Sequence, residues 1–204
     1  MNSTAKRIIF DDIVLEVWDT VYEPAEDSFL FAENLNVPRA SSVLDVGTGC
    51  GILAIVAAKT AEKVLATDVN PYALWCTAKN ATRNKVKGKI SLVLADLFSA
   101  FQCCAHFDVI LFNAPYLPTE DDTSDWVSLA WNGGKDGRLL IDRFITAAPN
   151  HLTPRGKIML MQSTLSDTDR TLTLFEKRGL KAQVLAFRDL PFFETLTLIE
   201  ATRQ

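Results

Sequence analysis

The chain reads as an α/β protein: a seven-stranded, mostly parallel sheet with helices on both faces and an antiparallel hairpin at its C-terminal end. Three observations predict this. Short β-branched runs alternate several times with helix-like segments. The run Phe107-Asp108-Val109-Ile110-Leu111-Phe112 is nearly continuously apolar, as a strand covered on both faces must be. The last two strand-like runs, 181–187 and 194–201, have no helix between them. Alternating strands and helices imply parallel pairing through helical crossovers, whereas two consecutive strands imply an antiparallel pair.

The elements follow in order. Residues 8–15 read as a small hairpin and 25–35 as a leading helix. Residues 42–46 form a buried strand that ends at a glycine turn, and 52–60 are apolar and Ala-rich, as a helix packed on a sheet would be. Residues 63–68 are the next strand. Pro71 sits where a helix starts, its missing N–H costing nothing there, and that helix runs to about Asn84. Strands follow at 90–95 and 107–112. After a long polar loop come a helix at 139–150, a strand at 157–161 and a helix at 166–178 stopped by Gly179. All 204 residues are expected to form one domain, with 1–35 as an N-terminal hairpin and covering segment and 41–204 as the core.

Composition narrows the function classes. At 204 residues and 48% hydrophobic the chain buries enough surface for an ordinary core, roughly 70% of what its unfolded form exposes. The longest apolar run, 52–58, is far short of the ~20 residues that cross a membrane, and the polar N-terminus has no signal-peptide core. A cytoplasmic protein is expected. The four cysteines make no Cys-x-x-Cys pair. Cys103-Cys104-x-His106, the one arrangement that could start a zinc site, lacks the usual gap between ligands, so reduced thiols and no metal are expected. A net charge of −4 argues against a protein that works by gripping phosphate backbones.

The strongest motif is Val43-Leu44-Asp45-Val46-Gly47-Thr48-Gly49-Cys50-Gly51. Glycines at alternate positions let a strand turn sharply and let backbone N–H groups approach a ligand. The third glycine comes one position too early for the dinucleotide pattern, and the Asp45 carboxylate would repel a pyrophosphate while favouring a cationic or amino-acid end. Asp68 closes the second core strand, where an acid accepts hydrogen bonds from a ribose diol. Asp96, just past the third strand and followed by Leu97, could accept an adenine amino group. Each acid alone reads as a solvated strand end. Three in order at successive strand ends point to a crevice for adenosine with a positive group nearby, which describes S-adenosylmethionine.

Directly after the fourth core strand stands Phe112-Asn113-Ala114-Pro115-Tyr116-Leu117-Pro118. Here the chain resembles the class I methyltransferases that act on planar amide or amino nitrogens, whose motif is Asn-Pro-Pro-Tyr and whose fold is Rossmann-like. An amide nitrogen is a poor nucleophile, so it must be oriented. By this resemblance the Asn113 side chain and the Ala114 backbone carbonyl accept its N–H groups, Pro115 stiffens the turn and Tyr116 offers a flat face. Positioning of this kind can be worth roughly 7–11 kcal/mol. Ala114 departs from the usual proline at the cost of some rigidity, on the order of 1 kcal/mol or less.

Two further segments, Val21-Tyr22-Glu23-Pro24-Ala25-Glu26-Asp27-Ser28 and Trp131-Asn132-Gly133-Gly134-Lys135-Asp136-Gly137-Arg138, are similar to the HemK-type protein glutamine methyltransferases, in particular their short archaeal and eukaryotic branch. The resemblance runs from about Tyr22 to the C-terminus. It implies that the first segment closes over the cofactor with Ser28 in contact, and that Asp45, Gly47, Asp68, Asp96, Leu97 and Asn113 line the site. Gly49 and Gly51 belong to the same cofactor turn. The acids Glu26 and Asp27 also suit the N-terminal dipole of a helix, and Asp136 could cap the helix after it. The activity implied is N5-methylation of the glutamine in the Gly-Gly-Gln loop of a class I peptide release factor. A small zinc-binding activator is implied on the edge strand near Ile90-Leu94, which is strongly apolar for a bare edge. Two other readings stay open: methylation of an exocyclic amino group in DNA or RNA, and a cofactor-binding protein without transfer activity.

Overall fold

The structure is a computed structural model that describes residues 5–102, 105–120 and 125–203. Cys103 and Cys104 lie outside the described residues, and with them the Cys103-Cys104-x-His106 arrangement. Strands β1 (Ala5–Phe10) and β2 (Ile13–Trp18) pair antiparallel about Asp11-Asp12, where Asp11 takes a left-handed φ of 50°. Helix α1 (Glu26–Glu33) then leads to β3 (Ser42–Val46), α2 (Ile52–Ala58), β4 (Lys63–Asp68), α3 (Pro71–Arg83), β5 (Ile90–Leu94) and β6 (Phe107–Asn113). The second half comprises α4 (Trp126–Leu129), α5 (Leu139–Ala147), β7 (Leu152–Ser163), α6 (Thr168–Lys177), β8 (Leu180–Asp189) and β9 (Thr195–Arg203).

Among the described residues the main sheet has the order β5-β4-β3-β6-β7-β9-β8. The pairs from β5 through β7 are parallel, and β9 runs antiparallel to both β7 and β8. The expected seven-stranded, mostly parallel sheet with a terminal hairpin is therefore present. Its hairpin is folded back so that β9, the last strand, inserts beside β7 and leaves β8 at the edge.

Strand alternation distributes the core onto two faces. Val43, Val109, Leu111, Met159, Met161 and Leu198 pack on one side with α1, α2 and α3. Leu44, Val46, Ile110, Phe112, Ile158, Leu160 and Ile199 pack on the other with α5 and α6. Because successive strand residues point to opposite faces, a strand with helices on both sides is apolar along its buried stretch, which is why β6 is polar only near its ends, at Asp108 and Asn113. Each fully buried side chain of this size contributes about 1.5–3 kcal/mol.

The N-terminal hairpin is held by side chains acting as surrogate backbone. Asn84 accepts from the Val14 N–H (3.0 Å) and donates to its carbonyl (2.9 Å). Asn80 does the same for Glu16 (2.8 and 3.1 Å) and also donates to the Cys50 carbonyl (2.9 Å). Helix α3 thereby stands in for a neighbouring strand along β2 and fixes the direction in which the chain leaves toward α1.

Three expectations change in detail. The segment after β6, read as a long polar loop, contains α4, whose N-cap Asp125 accepts from the Val127 and Ser128 N–H groups at 3.0 Å each. One turn of helix is too short for periodicity to reveal. The helix expected over 139–150 ends at Ala147, continuing as a 3₁₀ turn that contains Pro149. Strand β7 begins at Leu152, earlier than 157, because its first residues pair with Phe107 across a bulge. Among the described residues no helix is long and apolar enough to cross a membrane.

Candidate active site

The sheet order reverses between β3 and β6: β4 and β5 extend one way, β7 and the hairpin the other. In an open α/β sheet the crevice at the carboxyl ends of such strands is where ligands bind. Both central motifs emerge there, the glycine turn after β3 and Asn113-Ala114-Pro115-Tyr116 at the end of β6. Between them lies a cavity of about 460 Å³, a usual size for a small-molecule site.

Gly47, Gly49 and Gly51 all adopt left-handed backbone (φ 66°, 57° and 88°). A Cβ at Gly51 would strike the Thr77 side chain at 2.8 Å, so glycine is required for α2 to lie against α3, whereas a Cβ at Gly49 would meet nothing within 4 Å. The turn is thus open on its ligand side. Asp68 is anchored beneath it, accepting from the Gly49 N–H at 2.9 Å and the Asn70 N–H at 2.8 Å. Burial pushes its carboxyl above the ordinary range. Asp45 is buried, and one oxygen accepts from the Thr48 hydroxyl at 2.7 Å while Oδ1 has no partner. Burial, reinforced by the nearby Asp68 charge and opposed by the Thr48 hydroxyl, raises the Asp45 carboxyl to about 7. Asp96 and Leu97 also line the cavity; Leu97 has φ 49°, and Asp96 pairs through Oδ2 with Arg143 at 2.7 Å.

Across the cavity Asn113 ends β6. Its Nδ2 donates to Asp27 Oδ2 (3.1 Å) and Ser28 Oγ (3.2 Å), and its Oδ1 is buried with no partner. The described residues hold only two such unpartnered buried side-chain atoms: Asn113 Oδ1, in the cavity wall, and Asp45 Oδ1, which lies in β3 behind Thr48 and outside that wall. Leaving a buried acceptor unpaired costs about 1–3 kcal/mol, so Asn113 Oδ1 marks a place that a ligand's N–H group satisfies. Asp27 further accepts from the Ser28 N–H (2.6 Å) and the Tyr22 hydroxyl (3.2 Å to each oxygen). Burial first, and the Asp27 charge second, push the Tyr22 and Tyr116 phenols above the usual tyrosine range, so both stay protonated donors.

The Gly-Gly-Lys-Asp-Gly-Arg segment supports the Asn113-Tyr116 turn from behind. A Cβ on Gly137 (φ 71°) would lie well under 3.0 Å from the Tyr116 carbonyl oxygen and 3.1 Å from Ser166 Cβ. Arg138, fully buried, holds the segment in place. Its guanidinium donates to Asp142 (3.0 and 2.7 Å), to the Ser166 carbonyl, to the Asp167 carbonyl (2.8 Å) and to Thr171 Oγ1 (3.0 Å). Asp136 accepts from the Arg138 N–H at 3.2 Å, one residue ahead of α5.

The sequence-predicted residues Ser28, Gly47, Gly49, Asp68, Asp96, Leu97, Asn113, Ala114, Pro115 and Tyr116 all line this cavity; Asp45 does not, being buried in β3 behind Thr48, and Gly51 sits just behind the wall, against Thr77. Sequence reasoning did not select Asp27, Tyr22, Trp126 or Trp131 as site residues, although they too line the wall. The signal for Asp27 was an acid at a helix start, which dipole stabilisation explains equally well. S-adenosylmethionine fits the residues that line the cavity: an open glycine turn, an anchored acid at the end of β4, a second acid, Asp96, past β5, and an apolar wall including Val69 and Phe112.

The fold, the glycine turn and the Asn-Ala-Pro-Tyr corner define an S-adenosylmethionine-dependent N-methyltransferase. The profile of the methyltransferase small domain matches residues 24–187. A protein of Methanocaldococcus jannaschii described as an N5-glutamine methyltransferase is 40% identical over 199 residues, covering 96% of this chain and 98% of its own. Methyltransferase HEMK2 of Homo sapiens is 33% identical over 195 residues, 90% of each. The solved Mtq2-Trm112 complex of E. cuniculi, described as responsible for methylating the eRF1 translation termination factor, superposes with a TM-score of 0.72 at 29% identity. That match covers 91% of this chain and 99% of the other. The chain belongs to the methyltransferase small-domain family, among the HemK-type protein glutamine methyltransferases.

Proposed function

We propose that this enzyme, acting as one domain in the cytoplasm, methylates N5 of the glutamine in the Gly-Gly-Gln loop of a class I peptide release factor. The observation that carries this reading is Asn113: its nitrogen is engaged by Asp27 and Ser28, and its buried carbonyl oxygen is left for an N–H donor. A glutamine side chain presents such a donor. The glycine turn, Asp68, Asp96 and Leu97, with Asp45 behind the turn and Ser28 from the covering segment 1–35, would hold S-adenosylmethionine, which would supply an electrophilic methyl group. Asn113 Oδ1 and the Ala114 carbonyl take the two amide N–H groups, and Tyr116 lies against the amide plane, so the nitrogen is held with its lone pair free to bond carbon. As the N–C bond forms, the methyl carbon's bond to sulfur would break to leave a neutral thioether, and one amide N–H proton would pass to solvent. The descriptions of the 40% identical relative and of the Mtq2 complex support this substrate.

The partner is a small zinc-binding activator along β5. This strand is an edge of the sheet, and Leu94, with Val69 following its register partner Asp68, is more than half exposed, as is Trp75 on α3. An apolar edge without proline or lysine invites a pairing strand. The test is a radiolabelled methyl-transfer assay with and without the activator, offering the release factor and, separately, nucleic acid. Label on the release factor that disappears when its Gly-Gly-Gln glutamine is replaced supports the reading. Label on nucleic acid alone overturns it in favour of base modification, and no label with cofactor bound overturns it in favour of a binding protein.

A further inference from the structure

A side-chain amide is nearly symmetric in shape but has two opposite ends, one accepting and one donating. Asn113 can hold a substrate N–H group only with its oxygen toward the substrate; turned over, it would set donor against donor. Strand β6 determines where the Asn113 side chain begins and leaves open which end it presents. The neighbouring carboxylate removes that freedom. A carboxylate only accepts, so the end of Asn113 that faces Asp27 has to be Nδ2, 3.1 Å away.

We propose that Asp27 is a positioning residue for the reaction: by holding the Asn113 nitrogen, it sets the orientation in which the Asn113 carbonyl serves the substrate. Three features make it suited to this. It is 5% exposed, so water does not compete for its oxygens. It is itself immobilised, by the Ser28 N–H at 2.6 Å, by the Ser28 hydroxyl at 3.2 Å and by the Tyr22 hydroxyl. It also reaches the site from a different part of the chain, 86 residues before Asn113, so the N-terminal segment completes the catalytic turn as well as covering the cofactor. Ser28 Oγ alone does not do this, because a hydroxyl both donates and accepts and would pair with either end of the amide.

The proposal rests on Asn113 being the acceptor for the substrate N–H, so its test separates the two. Asp27→Asn preserves shape and the acceptor for Ser28 N–H, but offers Asn113 either kind of partner. With whatever acceptor the parent enzyme labels, Asp27→Asn is expected to lower kcat 10- to 100-fold with the KM for S-adenosylmethionine within threefold. Because Asp27 acts through Asn113, the double variant Asp27→Asn/Asn113→Ala is expected to match Asn113→Ala alone within about twofold. Losses that multiply, or an Asp27→Asn enzyme at the parent rate, overturn the proposal. A second measurement needs neither substrate nor a folded variant: in the unmutated protein, the Asn113 Hδ2 protons should show NOEs to the Ser28 Hβ protons, and their absence overturns it. Failure of the parent to label the release factor refutes the glutamine reading and leaves the NMR result to decide the orientation.

Discussion

Gly137 gives a sharp test of the idea that the Gly-Gly-Lys-Asp-Gly-Arg segment sets the position of Tyr116. Replacing it by alanine imposes two separate costs. An alanine in left-handed backbone costs about 1–2 kcal/mol. Its Cβ, well under 3.0 Å from the Tyr116 carbonyl oxygen, adds an overpacking cost of about 1–3 kcal/mol and forces the turn outward, since the buried Arg138 network holds the other side. For a chain of this length each kcal/mol lowers Tm by roughly 2–4 °C, so a fall of roughly 4–20 °C is expected. A displacement approaching 1 Å at the catalytic turn costs about 100-fold in transfer. Gly179→Ala is the matched control: Gly179 has φ 76° but nothing within 4 Å of a Cβ, so it bears the backbone cost alone, roughly 3–6 °C, and keeps its activity. Calorimetry and initial rates of methyl transfer on both variants decide the matter. Equal falls in Tm with equal, undiminished kcat would show that the segment does not bear on Tyr116.

Three other perturbations are expected to behave as follows. Asn113→Ala should lose transfer by about 10²–10³-fold, the scale of removing one preorganised hydrogen-bonding group, while calorimetric titration shows cofactor affinity nearly unchanged. Ala114→Pro removes the Ala114 N–H bond to the Met161 carbonyl (3.3 Å), worth about 1 kcal/mol, and gains about 0.4–1 kcal/mol from a stiffer unfolded chain; stability and rate should both stay close to the parent, and a large gain in rate would show that Ala114 had been holding activity down. Asp45 is raised to about 7 in the folded protein, against an ordinary 3.8, so between these values the folded state binds a proton the unfolded state lacks. Stability of the cofactor-free protein therefore rises as pH falls from 7 toward 4, by up to about 4 kcal/mol from this group, with Asp68 acting in the same direction. Asp45→Asn should flatten a plot of Tm against pH in that window, and an unchanged slope would contradict the assignment.

The sheet was legible because its information is local and repeated. A strand such as 107–112, apolar at every position but Asp108, reads as central, and each strand that ends in Gly or Asp announces the ligand side of the fold. The acids Asp45, Asp68 and Asp96 and the Asn113 corner were legible for the same reason, since each lies in the last residues of a strand or just past them. What the residues did not disclose were relations across the chain. Asp27 reads as a dipole-compensating acid until the fold brings it to Asn113, and Arg138 reads as part of a glycine loop until Thr171 and the 166–167 carbonyls surround it. Helix α4 escaped notice because four residues carry no period, although Trp126 and Trp131 close one wall of the cavity.

The pairing of β3 with β6 has a consequence for how such an enzyme can change. Val46 and Phe112 are register partners, so the roots of the glycine turn and of the Asn113 corner stand one strand spacing apart, about 4.8 Å. The gap between donor and acceptor is therefore measured out by backbone hydrogen bonding, a ruler that surface mutation cannot stretch. Helix α4, which lines the cavity through Trp126 and Leu129, stands outside that ruler. Exchanging it could retune which protein surface is admitted while the reacting centres keep their separation, so substrate choice and chemistry can drift independently in this fold.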